Sequence, residues 1–180
     1  MYKRVFSICV IIVLWASSLW AQSADALLDE LARTTSERSA ERLVDQIWST
    51  WTYPDTTTDQ HSAMDLGVQA MRANALDQAE DIFSKIIDQN PDYMEAWNKR
   101  ATVRFMRGDV TGSEADIYQV LIREPRHFGA IAGLGMINMK LRDFAAALNA
   151  YERVKTINPF AIDAVSIIPD LKARLGIVDL

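Results

Sequence analysis

From about residue 24 onward, apolar residues recur three and four positions apart, the spacing of one face of an α-helix. Asp25 to Ala32 forms a short amphipathic stretch. Thr34, Thr35 and Ser36 interrupt it and can cap a second helix that runs to about Trp51, with Leu43, Val44, Ile47, Trp48 and Trp51 on one side. Tyr53 to Gln60 is rich in Thr and Asp, contains Pro54, and reads as a loop. The pattern then becomes periodic. Helices are predicted around Ser62–Arg72 and Asp77–Asp88, closed by Asn90-Pro91, because proline lacks the donor a helix needs to continue. A second unit runs from Met94 to Pro125 with a sharp Gly108-Asp109 turn in its middle, and a third from Phe128 to Pro159 with Arg142-Asp143 at the same place. A last helix covers about Ala161–Arg174, with a kink or a late start expected at Pro169.

Pro91, Pro125 and Pro159 are 34 residues apart, and each ends a pair of amphipathic helices. Two helices in a period of that length define a helical solenoid, in which each unit buries its apolar face only by stacking on its neighbours. The expected fold is therefore all-α, with helix-turn-helix units stacked into a concave wall. A wall of that kind binds other molecules.

These residues resemble the tetratricopeptide repeat over roughly 60–159. The first unit shows Ala63, Leu66, Gly67, Ala79, Phe83 and Pro91. The second has Trp97, Ala101, Ser113, Ile117 and Pro125 at the corresponding offsets, and the third Ile131, Leu134, Gly135, Ala147, Tyr151 and Pro159. The resemblance implies a right-handed α-solenoid of three units, about 60–93, 94–127 and 128–161, closed by a capping helix in 161–180. Gly67, Ala101 and Gly135, with Ala79, Ser113 and Ala147, are the small residues where paired helices cross closely. The large residue four positions after the second set is expected to fill the space between adjacent units. Arg100 departs from the pattern at an offset usually held by Leu, and Ala70, Arg104 and Asn138 stand where an aromatic is usual. Ile86, Val120 and Val154 replace the usual small residue. Segment 22–59 lies outside the repeat. Its Trp48-x-x-Trp51 pair resembles small exported proteins of this type in alphaproteobacteria.

In this family the first helix of each unit builds the inner face. The resemblance places Met64, Val68 and Met71 there from the first unit, Glu95, Asn98, Thr102 and Phe105 from the second, and Ala132, Met136 and Met139 from the third. Arg72 and Lys140 fall at its edge. The trough is apolar and methionine-rich, a surface that accepts a peptide or helix of imperfect shape. The family's carboxylate-gripping version needs Lys, Arg and Asn on this face, and only Asn98 fits. Two arrangements follow from the same residues. Either the trough is open to a partner, or the helix bearing Leu43, Ile47, Trp48 and Trp51 packs onto it. Trp48 and Trp51 are read as internal packing.

The first residues carry a different pattern. Lys3 and Arg4 precede an apolar run from Val5 through Ala16, followed by Ser17, Ser18 and Ala21. This is the order of a secretory signal, with cleavage expected after Ala21 or, failing that, Ser23 or Ala24. The alternative is an uncleaved inner-membrane anchor. Cys9, the single cysteine, falls inside the apolar run, so the exported chain would carry no thiol and rely on packing alone, as suits a bacterial periplasm. Loss of residues 1–21 removes two cations and moves the net charge from −5 to −7. An acidic chain without a basic cluster is a poor nucleic-acid binder.

Candidate chemistry is sparse. His61 and His127 each start the first helix of a unit, 66 residues apart, too far along a solenoid to share a metal. No cysteine pair, phosphate loop or nucleophile elbow occurs. Glu80, Asp81, Asp88, Asp92, Glu95, Glu114 and Asp116 are scattered over helical faces, where most are expected to be solvated or paired. No catalytic, metal or cofactor residue is assigned. The expectation is a non-catalytic adaptor or scaffold in the cell envelope, with a self-associating module as the alternative.

Overall fold

A computed structural model of the chain describes residues 23–54 and 57–177, and these hold nine helices and no strand. The signal segment expected over 1–21 lies outside the described residues. An N-terminal pair, α1 (Ala24–Arg33) and α2 (Glu37–Thr52), precedes three helical hairpins. These are α3 (Thr58–Arg72) with α4 (Leu76–Gln89), α5 (Met94–Arg107) with α6 (Val110–Arg123), and α7 (Phe128–Leu141) with α8 (Phe144–Ile157). Helix α9 (Ile162–Arg174) closes the array. It starts at Ile162 and continues through Pro169, so the proline does not delay its start.

The punctuation that sets the period is visible in the backbone. Asn74, Gly108 and Arg142 occupy the same place in the three hairpins, and all have left-handed backbone, with φ of 57°, 87° and 64°. That conformation lets the N–H of the next residue reach back to the carbonyl of Ala70, Arg104 or Asn138, satisfying the helix end while the chain reverses. The second helices stop at Asn90, Glu124 and Asn158. Each donates its N–H to the carbonyl four residues back, and a proline follows that cannot extend the ladder. Ser23, Ser36, Thr57, Asp109, His127 and Asp143 cap helix starts with side-chain acceptors.

Packing within the hairpins explains the small residues. A Cβ on Gly67 would lie 2.5 Å from the Phe83 ring, and one on Gly135 would lie 2.7 Å from the Tyr151 ring. Phe83 and Tyr151 therefore sit over the glycine of their own hairpin and also join the buried clusters that reach the next element, Phe83 with Tyr93, Ala96 and Val103 and Tyr151 with Ala164, Ile168 and Leu171. Ser113, at the small-residue offset of the second hairpin, is buried and donates its hydroxyl to the Ala101 carbonyl at 2.8 Å. Its polarity costs nothing because the bond is made.

Two of the departures from the repeat pattern, Arg100 and Arg104, have a common cause. Arg100 forms a two-pronged contact with buried Asp116, at 2.8 Å to each oxygen, and also donates to Ser84. Arg104 reaches Asp116 at 3.0 Å and Glu80 at 2.9 Å, and Arg107 extends the chain of charges to Glu80 and Asp77. An ionic seam thus joins the first and second hairpins where the repeat usually places leucine and an aromatic. Burial works against ionisation of Glu80, but the hydrogen bonds and charges of Arg104 and Arg107 hold its carboxyl below the usual range. Asp116 is one of the paired carboxylates, and it is buried with its two arginines.

Candidate functional site

The concave wall is formed by α3, α5 and α7, and α2 lies across it. Leu43, Ile47 and Trp51 bury one side of α2, while α1 packs against α2 and α8 through Leu27, Leu28 and Leu31. Going along α2, Glu37 and Glu41 stand opposite the start of α9. Trp48 meets Phe128 edge-on, with centroids 5.3 Å apart, and Trp51 stacks flat on the His127 ring at 4.0 Å. The Thr52 carbonyl accepts from the Tyr93 hydroxyl just before α5, and the Tyr53 hydroxyl donates to Asp65 of α3 at 2.7 Å. Helix α2 therefore passes the starts of α9 and α7 and the segment leading into α5, and the residue after it, Tyr53, reaches the middle of α3. It occupies the upper half of the trough as an added peptide would.

Under α2 sits a buried polar cluster that sequence reasoning missed. Glu95 is fully buried and accepts from Asn98 Nδ2, Lys99 Nζ at 2.8 Å and His127 Nε2 at 3.1 Å. His127 Nδ1 accepts from the Ala130 N–H, capping α7, so the ring proton resides on Nε2 and points at Glu95. Burial pushes the Glu95 carboxyl up, but the His127 hydrogen bond and the Lys99 charge outweigh it, and the group stays below the usual carboxylate range. The Lys99 ammonium also lies 5.1 Å from the Trp48 ring centroid. Sequence spacing between His127 and Glu95 gave no warning of this contact, because they belong to different hairpins.

The expected groove residues divide accordingly. Met64 is fully buried in the core of the first hairpin and offers no surface, which corrects its placement on an open inner face. Asn98 is also buried, and its amide is committed to Glu95, so it is not free for a partner. Val68, Met71 and Met139 are half-buried against the cores. Thr102, Met136, Arg72 and Lys140 are exposed, and Phe105 is half-exposed with the Lys140 ammonium 5.1 Å from its ring. Thus α2 covers the upper positions of the first helices, and the lower row, Val68, Thr102, Phe105 and Met136, remains open. Beside it a cleft of about 880 Å³ separates α2 from α3, with Trp48, Leu66, Val68, Arg72 and Lys99 among its walls.

His61 Nε2 donates to the Pro54 carbonyl at 3.0 Å and belongs to α3, whereas His127 caps α7. Among the described residues no group of His, Cys, Asp and Glu is arranged to hold a metal. No described helix is long and apolar enough to cross a membrane.

The tetratricopeptide repeat family matches residues 64–127. A TPR repeat-containing protein of Rhizobium etli is 33% identical over 144 residues, which span 80% of this chain and 70% of the relative. The chain belongs to the tetratricopeptide repeat family. Solved structures agree on the fold. The first TPR of Spaghetti (RPAP3), bound to the HSP90 peptide SRMEEVD, superposes with a TM-score of 0.63 at 19% identity, covering 67% of this chain and 96% of that one. The Sgt2 TPR domain from Aspergillus fumigatus gives 0.62 at 18% identity, over 67% and 81% of the two chains. MamA gives 0.60 at 16%, over 85% and 81%.

Proposed function

We propose that the protein is a non-catalytic adaptor of the bacterial cell envelope that holds a segment of another protein along the lower half of its concave wall. The observation that supports this is the division made by α2. It uses the upper half of the trough for internal packing, yet leaves Thr102, Phe105 and Met136 facing outward, flanked by Arg72 and Lys140. Leaving methionine and phenylalanine half-wet costs solubility, and a surface of that kind is kept where a partner covers it. Arg72 has no ion pair among the described residues, so the edge of the row favours a partner with acidic groups beside its apolar anchors. Residues 1–21 direct export in this reading, and the mature chain works in the periplasm.

The test is crosslinking in the envelope fraction with a photoreactive group at Met136, repeated with Phe105→Asp. A specific crosslinked protein that disappears with Phe105→Asp, while the circular dichroism melt is preserved, supports the reading. An unchanged crosslink pattern overturns it. If the crosslinked product is a second copy of the chain, the module self-associates and is not an adaptor.

A further inference from the structure

We propose that the pocket walled by α2, α7, α8 and α9 is a second docking site, which receives a bulky apolar side chain from a protein segment carrying Lys or Arg beside it. It shares no residue with the open lower row of the trough apart from the α7 backbone that supports both.

The pocket has a volume of about 360 Å³, within the range of sites that enclose a ligand group. Its walls are Val44 and Trp48 of α2, Phe128 of α7, Tyr151 and Val154 of α8, and Phe160 before α9. The floor is kept low by Gly129 and Ala132. The Trp48 ring rests on Gly129, where a Cβ would come 2.6 Å from it, and this holds α2 off the floor beside it. At the mouth, Ile162, on the last helix of the array, is 72% exposed.

Two observations specify the occupant. First, the charged groups at the rim are all carboxylates. Glu37 and Glu41 come from α2 and Asp163 from α9. No Lys or Arg lines the pocket, and none of the three has an ion pair among the described residues. An apolar slot ringed by unneutralised acids selects a cationic neighbour. Second, Asn158 in the wall is only 8% exposed. Its Oδ1 accepts from the Phe160 N–H at 3.1 Å, but its amide N–H groups have no protein acceptor among the described residues. A buried donor pair lacking an acceptor is costly unless something supplies one. A peptide supplies all three needs from adjacent atoms: a backbone carbonyl for Asn158, an apolar side chain for the slot, and a cation for the rim.

The experiment uses the protein as recovered from cells expressing all 180 residues. It is titrated with a short phenylalanine-centred peptide flanked by lysines and with its glutamate-flanked counterpart, followed by amide resonances of Ala132, Asn158 and Ala161. The lysine peptide is expected to shift these resonances saturably with Kd below about 1 mM, and the glutamate peptide is not. The double variant Glu37→Lys with Glu41→Lys, both exposed and checked by circular dichroism, is expected to weaken the lysine peptide at least about tenfold. Phe105→Asp is expected to leave that binding intact, which separates this site from the open row. Equal binding of both peptides, no saturable shift, or undiminished binding by the charge-reversed variant overturns the proposal.

Discussion

Arg142 holds a left-handed backbone at the position where the second hairpin uses Gly108. The turn demands that geometry, and a Cβ makes it costly by about 1 kcal/mol. Arg142 is exposed and makes no ion pair among the described residues, so little else is lost on replacing it. Arg142→Gly is expected to stabilise the protein by about 0.5–1 kcal/mol in urea unfolding. Glu95 illustrates the opposite case, a residue set by distant partners. Its folded pKa lies below that of the unfolded chain. Its contribution is therefore complete above the ordinary carboxylate range and is lost as the pH falls through the depressed native value. The melting temperature is expected to drop as the pH is lowered from about 5, and to do so less steeply in Glu95→Gln, measured by calorimetry. That variant is also less stable at neutral pH, because it removes the counter-charge of Lys99 and the charged acceptor of the buried His127 hydrogen bond.

Helix α2 is the element that decides what the trough can do. Isolated, a helix of 16 residues is marginal in water, so its place is held by tertiary contacts rather than by propensity. Trp51 is central among these, being buried and stacked on His127. Trp51→Ala is expected to cost about 3–5 kcal/mol and to raise hydrogen exchange in α2 and the first turn of α7, with α3 and α4 keeping their protection. Uniform loss of protection across all helices would show instead that α2 and the array form one cooperative unit. The amphipathic pattern of α2 was legible in Leu43, Ile47, Trp48 and Trp51. Packing onto the trough was one of the two arrangements the sequence left open, because an apolar stripe records only that a face is buried and carries no address. For the same reason Met64 and Asn98 read as groove residues although the structure buries them.

Across the molecule, stability depends on each hairpin meeting the next. The junction of the first two hairpins uses charge where the repeat usually uses leucine. Removing one partner leaves a buried acid with fewer counter-charges, so Arg100→Leu is expected to destabilise by about 3 kcal/mol despite restoring the common residue. Adding Asp116→Leu should recover a large part of that loss, and a double-mutant cycle in denaturant measures the coupling. If Arg100→Leu is neutral, Arg104 alone suffices for Asp116. The seam was half legible: Arg100 and Arg104 stood out at apolar offsets, but Glu80, Ser84 and Asp116 come from the flanking helices and looked like ordinary surface polar residues.

The sequence by itself determined the all-α class, the helix pairs and their period, because these rest on local physics: 3.6-residue spacing, turns at Gly108-Asp109 and Arg142-Asp143, and prolines after each second helix. Only the tertiary structure decided that α2 takes the upper trough, that Glu95 and His127 meet beneath it, and that a pocket with an acidic rim opens beside α9. Those outcomes depend on contacts between residues remote in the chain, which packing selects and no local pattern encodes.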